Sequence, residues 1–218
     1  MDAHPVTRWS GTAFILAGAS LARWPALHPW NQLAGAEAGQ STAWMLSHTF
    51  HFLAGFFALL GLAGLAARPR TTPVSRLAAI AFAVAFTGAA LFTATGVFTA
   101  FLWPTLATHA PATVEITGPF FSPPHPLIGI TSLVFCGGFA LLAAALRRDG
   151  TLSLPASVTL AGGALLLVIP PPPITPAPWF LVVAAGAVFG AGLVLLGQAL
   201  RRGPAAAAAG QPAHPAIA

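Results

Sequence analysis

Seven histidines hold almost all the chemistry that this chain can offer inside a membrane. His4 and His214 lie near the termini. The other five are His28, His48, His51, His109 and His125, and all of them map to one side of the topology derived below. His48 and His51 are three apart, so on a helix they share a face. His51 falls about two turns inside Trp44, roughly 10 Å along the axis at 1.5 Å per residue. His125 opens a later apolar stretch, behind Pro123 and Pro124. Neutral imidazole is a common ligand for zinc, copper and haem iron. His48, His51 and His125, with Glu115 as a further donor, are therefore the candidate cofactor-binding residues, for haem or a transition metal. The plainer reading is that His48 and His51 make hydrogen bonds between helices, because interfacial histidines are often satisfied that way. His51 lies deepest and is the first residue to test.

Other chemistries are excluded by what is missing. There is no Lys, hence no Schiff base and no phosphate-binding Walker lysine. Cys136 is the single cysteine, so no intramolecular disulfide, CxxC redox pair or CxxCH haem attachment exists. There is no HExxH zinc-protease motif. No Asp, Glu or Arg lies mid-span, which argues against a proton pump or an ion-coupled carrier.

The elements that must position these residues follow from composition. Only 6% of the 218 residues are charged and 56% are hydrophobic; mean hydropathy is +0.81. Soluble domains carry about 25% charged residues, so lipid is the expected solvent. Apolar runs predict six transmembrane helices: Trp9–Pro25, Trp44–Ala67, Leu77–Trp103, Pro126–Leu146, Leu154–Ile169 and Trp179–Leu200. The first and fifth are short. The fold class is all-α, an integral membrane bundle formed by residues 1–202, with a disordered Ala- and Pro-rich tail at 203–218.

The arginines orient the bundle. With the N-terminus inside, Arg8, Arg68, Arg70, Arg76, Arg147, Arg148, Arg201 and Arg202 all fall on the inner side, and only Arg23 does not. Cytoplasmic loops collect basic residues, so both termini are expected in the cytoplasm. The net charge of +5 is then a topology signal, since the arginines form no basic stripe for nucleic acid. Trp24, Trp30, Trp44, Trp103 and Trp179 cluster near the outer ends, at headgroup depth. A rival reading makes the first span a signal peptide, cleaved near Ala34-Gly35-Ala36. It leaves the other five spans as they are. The Pro170–Pro178 segment reads as a stiff connector holding the last two helices as an antiparallel pair.

Small residues supply close packing in lipid. Gly186 and Gly190 form a GxxxG; Gly88 with Gly96, and Gly55 with Gly61 and Gly64, line two other spans. They support bundle packing and do not establish a homodimer. Thr87, Thr93, Thr95 and Thr99 read chiefly as back-bonded to their own helix, and Cys136 as a small buried apolar residue. Phe50, Phe52, Phe56, Phe57, Phe120 and Phe121 flank the histidines. They are candidate walls for a lipid, a quinone or a carotenoid-like molecule, although such residues more often face acyl chains.

Two stretches carry a resemblance. One is Trp44-x-x-x-His48-x-x-His51, with Leu53-Ala54-Gly55 behind it and Gly61-Leu-Ala-Gly-Leu-Ala-Ala-Arg68 at its end. The other is Phe98-x-x-Phe101-x-x-Pro104. Together they resemble a loose group of uncharacterised multi-spanning membrane proteins from GC-rich bacteria, over Trp44 to Arg202. The resemblance implies a histidine near the start of the second span, a place that His48 or His51 fills. It brings no activity. The expected protein is thus a multi-pass protein of a bacterial inner membrane, non-enzymatic, either structural or binding a small apolar molecule. A haem- or metal-binding redox protein and a permease without ion coupling are the alternatives. Lipids surround it, an apolar small molecule or a second copy of the chain are candidate partners, and nucleic acid is not.

Overall fold

The structure is a computed structural model that describes residues 5–29, 35–68, 74–115, 118–119, 127–168 and 178–202. His125, Phe120, Phe121, Trp30, Arg70, most of the proline connector and the 203–218 tail lie outside the described residues. Every element found is helical: α1 (Pro5–Leu27), α2 (Gly35–Gln40), α3 (Thr42–Ala66), α4 (Arg76–Val97), α5 (Trp103–His109), α6 (Leu127–Arg148), α7 (Leu154–Leu167) and α8 (Trp179–Arg202). A π-helical turn, Phe98–Leu102, joins α4 to α5, and a 3-10 turn, Pro111–Thr113, follows α5. Serine caps set three of the starts: the side chains of Ser41, Ser75 and Ser153 accept the backbone N–H of Trp44, Ala78 and Ala156.

Four helical stretches are long and apolar enough to cross a membrane: Thr42–Ala66, Arg76–His109, Gly129–Arg148 and Trp179–Arg202. The two remaining expected spans differ for separate reasons. Helix α1 has the length, 23 residues, but Thr7, Arg8, Ser10, Thr12 and Arg23 dilute its hydropathy. Helix α7 is apolar but only 14 residues long, about 21 Å at 1.5 Å per residue.

Six helices close into a ring in chain order, α1, α3, α4, α6, α7, α8, with α8 returning to pack on α1. Reciprocal glycines let the neighbours approach. A Cβ on Gly18 would collide with the Gly190 carbonyl, and one on Gly190 with the Gly18 carbonyl; Gly11 and Gly197 make the same exchange two turns further in. On α3 and α4, Gly55 faces the Thr93 backbone and Gly96 that of Phe52. Gly88 and Gly138 meet the backbones of Phe135 and Ala85 between α4 and α6, and Gly163 and Gly192 meet those of Phe189 and Leu160 between α7 and α8. In each pair one position rises as the other falls, so the helices are antiparallel. The GxxxG of α8 is therefore occupied within the chain, by Gly18 and Pro25 of α1.

The ring encloses a solid centre. Phe14, Leu62, Phe92, Phe135, Phe139, Leu160, Phe189 and Leu193, drawn from all six helices, are buried together. The Phe92 and Phe135 rings stack at 4.0 Å and an interplanar angle of 5°. Phe139 meets Phe14 edge-on at 6.5 Å and Phe189 at 5.7 Å. Cys136 is buried beside them. The threonines behave as expected of helical threonines: Thr93, Thr95 and Thr99 donate to Ala89, Leu91 and Thr95 carbonyls on their own helix. Thr95 alone also reaches a neighbour, with its hydroxyl 3.4 Å from that of Thr131.

Candidate functional site

The two ends of the bundle differ in chemistry. Arg8, Arg68, Arg76, Arg147, Arg148, Arg201 and Arg202 mark one end, while Trp24, Trp44, Trp103, Trp179 and the described mid-chain histidines mark the other. The candidate site is a cluster of rings inside the tryptophan end.

Its spine is one face of α3. Trp44, His48 and His51 are spaced four and three apart, so their side chains line up towards the ring interior. All three are buried, His48 and His51 at 5% exposure each. The Trp44 and His48 rings stack at 4.0 Å, and His48 lies 5.8 Å from His51. Helix α4 adds Phe92, 4.0 Å from His51. Beyond α3, Trp103 of α5 stacks on Trp44 at 5.4 Å. Trp103, Trp44, His48, His51, Phe92 and Phe135 thus form an unbroken series of ring contacts from the outer end to the bundle centre.

Helix α1 supplies two further members. Trp24 packs on His51 at 4.7 Å and edge-on against Phe92 at 5.6 Å. His28, just past the end of α1, lies 5.1 Å from Trp44 and 5.2 Å from His48. By type the sequence marks Trp24 only as an interfacial ring and His28 only as one of the outer histidines. A signal is present nonetheless, because Trp24-x-x-x-His28 repeats the spacing of Trp44-x-x-x-His48. The two Trp-His pairs come together across the α1–α3 contact.

A proline-driven backbone irregularity fixes Trp44. In the π-helical turn the Trp103 N–H bonds to the Phe98 carbonyl, five residues back. The next residue, Pro104, has no N–H. The Thr99 carbonyl is thereby left without an intrahelical donor, and the Trp44 indole Nε1 donates to it at 2.9 Å. The Ser47 hydroxyl does the same for α1, donating at 2.8 Å to the Trp24 carbonyl, one of the four that the end of a helix leaves open.

Above the cluster sits a small cap. Helices α2 and α5, with Val114 just past the 3-10 turn, bury Ala36, Ala38, Trp103, Ala107 and Val114 against Trp44. Gln40 donates its side-chain amide to the Ala107 carbonyl at 2.9 Å. Glu115 accepts the Ala36 N–H at 3.1 Å, and its carboxylate lies against Gly35, whose φ of 52° suits glycine. Glu115 therefore holds the cap and is not directed at the histidines.

The polar bookkeeping of the cluster is uneven. His48 shares a hydrogen bond between its Nδ1 and the Trp44 carbonyl, on its own helix, at 3.1 Å. His51 makes none: Nδ1 and Nε2 are both buried without a hydrogen-bonding partner. The Phe92 main chain approaches the ring outside hydrogen-bond geometry. The Trp24 indole Nε1 is also buried and unpaired. An unmet buried donor costs about 1–3 kcal/mol, so these two touching rings gather three unmet polar atoms at one point of the described core. The expected hydrogen bonding of His48 and His51 between helices is replaced by ring stacking between helices.

Of the flanking phenylalanines, Phe56 takes the more usual of the two expected placements. Phe56 is exposed on the lipid side, stacking with Phe52 at 5.8 Å, and Phe52 meets the exposed Phe101 at 6.2 Å. Phe50 lies under the Arg23 guanidinium at 5.8 Å. The rings around the histidines are instead Trp24, Trp44 and Phe92. Among the described residues, no three His, Cys, Asp or Glu side chains are grouped to hold a metal ion.

Comparison with known proteins gives no match: no family model, curated protein or solved structure is significantly similar to the chain.

Proposed function

We propose that this is a six-span protein of a bacterial cytoplasmic membrane, with both termini in the cytoplasm, and that it holds a small apolar molecule at its outer end without catalysing a reaction. The asymmetry of the bundle supports the topology: the described arginines gather at one end and leave only Arg23 near the other, and basic residues favour the cytoplasmic side. Helix α1 counts as a span because it contributes Phe14, Ala17 and Leu21 to the core. Helix α7 counts because it closes the ring between α6 and α8. The observation that carries the binding reading is the pair of rings His51 and Trp24, buried among aromatic residues with their nitrogens unpaired. Binding sites are mainly apolar with a few polar groups placed inside.

Two experiments test this reading. Thr113→Cys should react with an impermeant thiol reagent from the outer side and Asp149→Cys should not; buried Cys136 gives little background. The reverse labelling would overturn the topology. Extraction of the purified protein, followed by mass spectrometry, should find one apolar species enriched over bulk membrane lipid. A profile equal to bulk lipid would remove the binding reading. Haem held by His51 is the second reading, favoured by the same unbonded nitrogens. It requires a Soret band in the purified protein that disappears in His51→Ala.

A further inference from the structure

We infer that His51 and Trp24 together bind the oxygen of a flat conjugated ligand, a quinone-type ring; this rests on the binding reading and specifies its chemistry. Two properties of the site lead there. The first is the kind of polar atom left open. The Trp24 indole nitrogen is a donor only and cannot ligate a metal. Neutral His51 carries one N–H and one lone pair. Adjacent rings, 4.7 Å apart, thus offer two donors and one acceptor, all buried. A carbonyl oxygen has two lone pairs and accepts from both donors. A pure hydrocarbon answers neither, and a cation answers His51 while leaving the indole N–H unmet.

The second property is the surrounding surface. His51 is flanked by Phe92 at 4.0 Å and Trp24 at 4.7 Å, and His48 is stacked on Trp44 at 4.0 Å. Rings of this kind favour another flat ring, by offset stacking or edge-to-face contact. The depth also fits. His51 lies two turns inside the tryptophan end, where an amphipathic ring with a polar oxygen partitions from the interface. Substitutions that keep an aromatic ring and remove the nitrogen test the hydrogen bonding. His51→Phe and Trp24→Phe are such changes.

The test uses the whole chain in proteoliposomes, with decyl-1,4-benzoquinone as the probe. Wild type should bind it saturably and lower the infrared frequency of one carbonyl. His51→Phe and Trp24→Phe should each weaken binding about tenfold, the loss expected for one hydrogen bond of about 1.4 kcal/mol, and each should reduce the carbonyl shift. Phe56→Leu, on the lipid face, should leave both unchanged. If His51→Phe fails to fold, the Trp24→Phe result decides. Equal affinity and an unchanged carbonyl band in the folded variants would overturn the inference. So would extraction of an enriched hydrocarbon without oxygen, which leaves the binding reading intact. An extract no different from bulk lipid, with no saturable probe binding and only water at the site, would remove both.

Discussion

The α1–α8 seam and the His51–Trp24 cluster are both buried contacts of α1, and they are built on opposite principles. The seam is backbone against backbone. Gly11 and Gly18 meet the carbonyls of Gly197 and Gly190 with no room for a side chain. The cluster is ring against ring, with wide aromatic faces and nitrogen atoms left unmet at the edges. In lipid, helices gain nothing by hiding apolar surface from one another, so contact must come from close packing or polar pairing. The seam uses the first completely. The cluster uses the second incompletely. Unpaired polar atoms add nothing to holding a bundle together, and they are what supports the proposed binding at the tryptophan end.

Substitutions at the two regions should separate these roles. The largest effect is expected at the seam. Gly18→Leu drives a side chain into the α8 backbone, which cannot yield, and should cost about 3 kcal/mol or more; loss of the monodisperse folded species on size exclusion in detergent is the readout. Phe135→Ala tests the shared centre and should cost about 3–5 kcal/mol by leaving a cavity among Phe92, Phe139 and Phe189, measured by thermal unfolding in detergent. Trp44→Phe keeps the ring stack but removes the donor to the Thr99 carbonyl. A loss of about 0.6–2 kcal/mol is expected, with local hydrogen exchange rising in the π-helical turn. His51→Phe reverses the sign. It deletes two unmet nitrogens, so ligand-free protein should hold or gain up to about 1–3 kcal/mol. A clear destabilisation there would erase the contrast between the regions. The smallest effect is expected for Gly137→Ala, where an added Cβ meets nothing within 4 Å; an unchanged transition temperature calibrates the series.

Parts of this picture are readable from residue types, and parts are not. The helical stretches start and stop close to where the apolar runs do, because lipid demands an uninterrupted apolar helix. The discrepancies also have causes. Helix α1 starts at Pro5 and not at Trp9, since Arg8 and Thr7 lie on a helical turn that an apolar run does not include. The third span runs on to His109 because Pro104 redirects hydrogen bonds in a π-turn and does not end the helix. His48 and His51 stand out at once by spacing, but Trp24, His28 and Phe92 do not, as nothing local ties them to α3. Glu115 looks like a ligand by type and proves to hold α2.

What the sequence by itself determined is therefore the solvent, the helices and the sorting of charge: scarcity of ionisable residues admits only lipid, and the arginines fall where spans end. What only the tertiary structure decided is which helix faces which. The return of α8 to α1 depends on glycines 172 and 186 positions apart meeting backbone to backbone. That closure sets α1 beside α3, brings Trp24 and His28 onto the histidines, and turns the α8 GxxxG into an internal seam. Periodicity gives each helix a face, but the partner of that face is chosen by shape, and shape complementarity between distant segments leaves no trace in either segment alone.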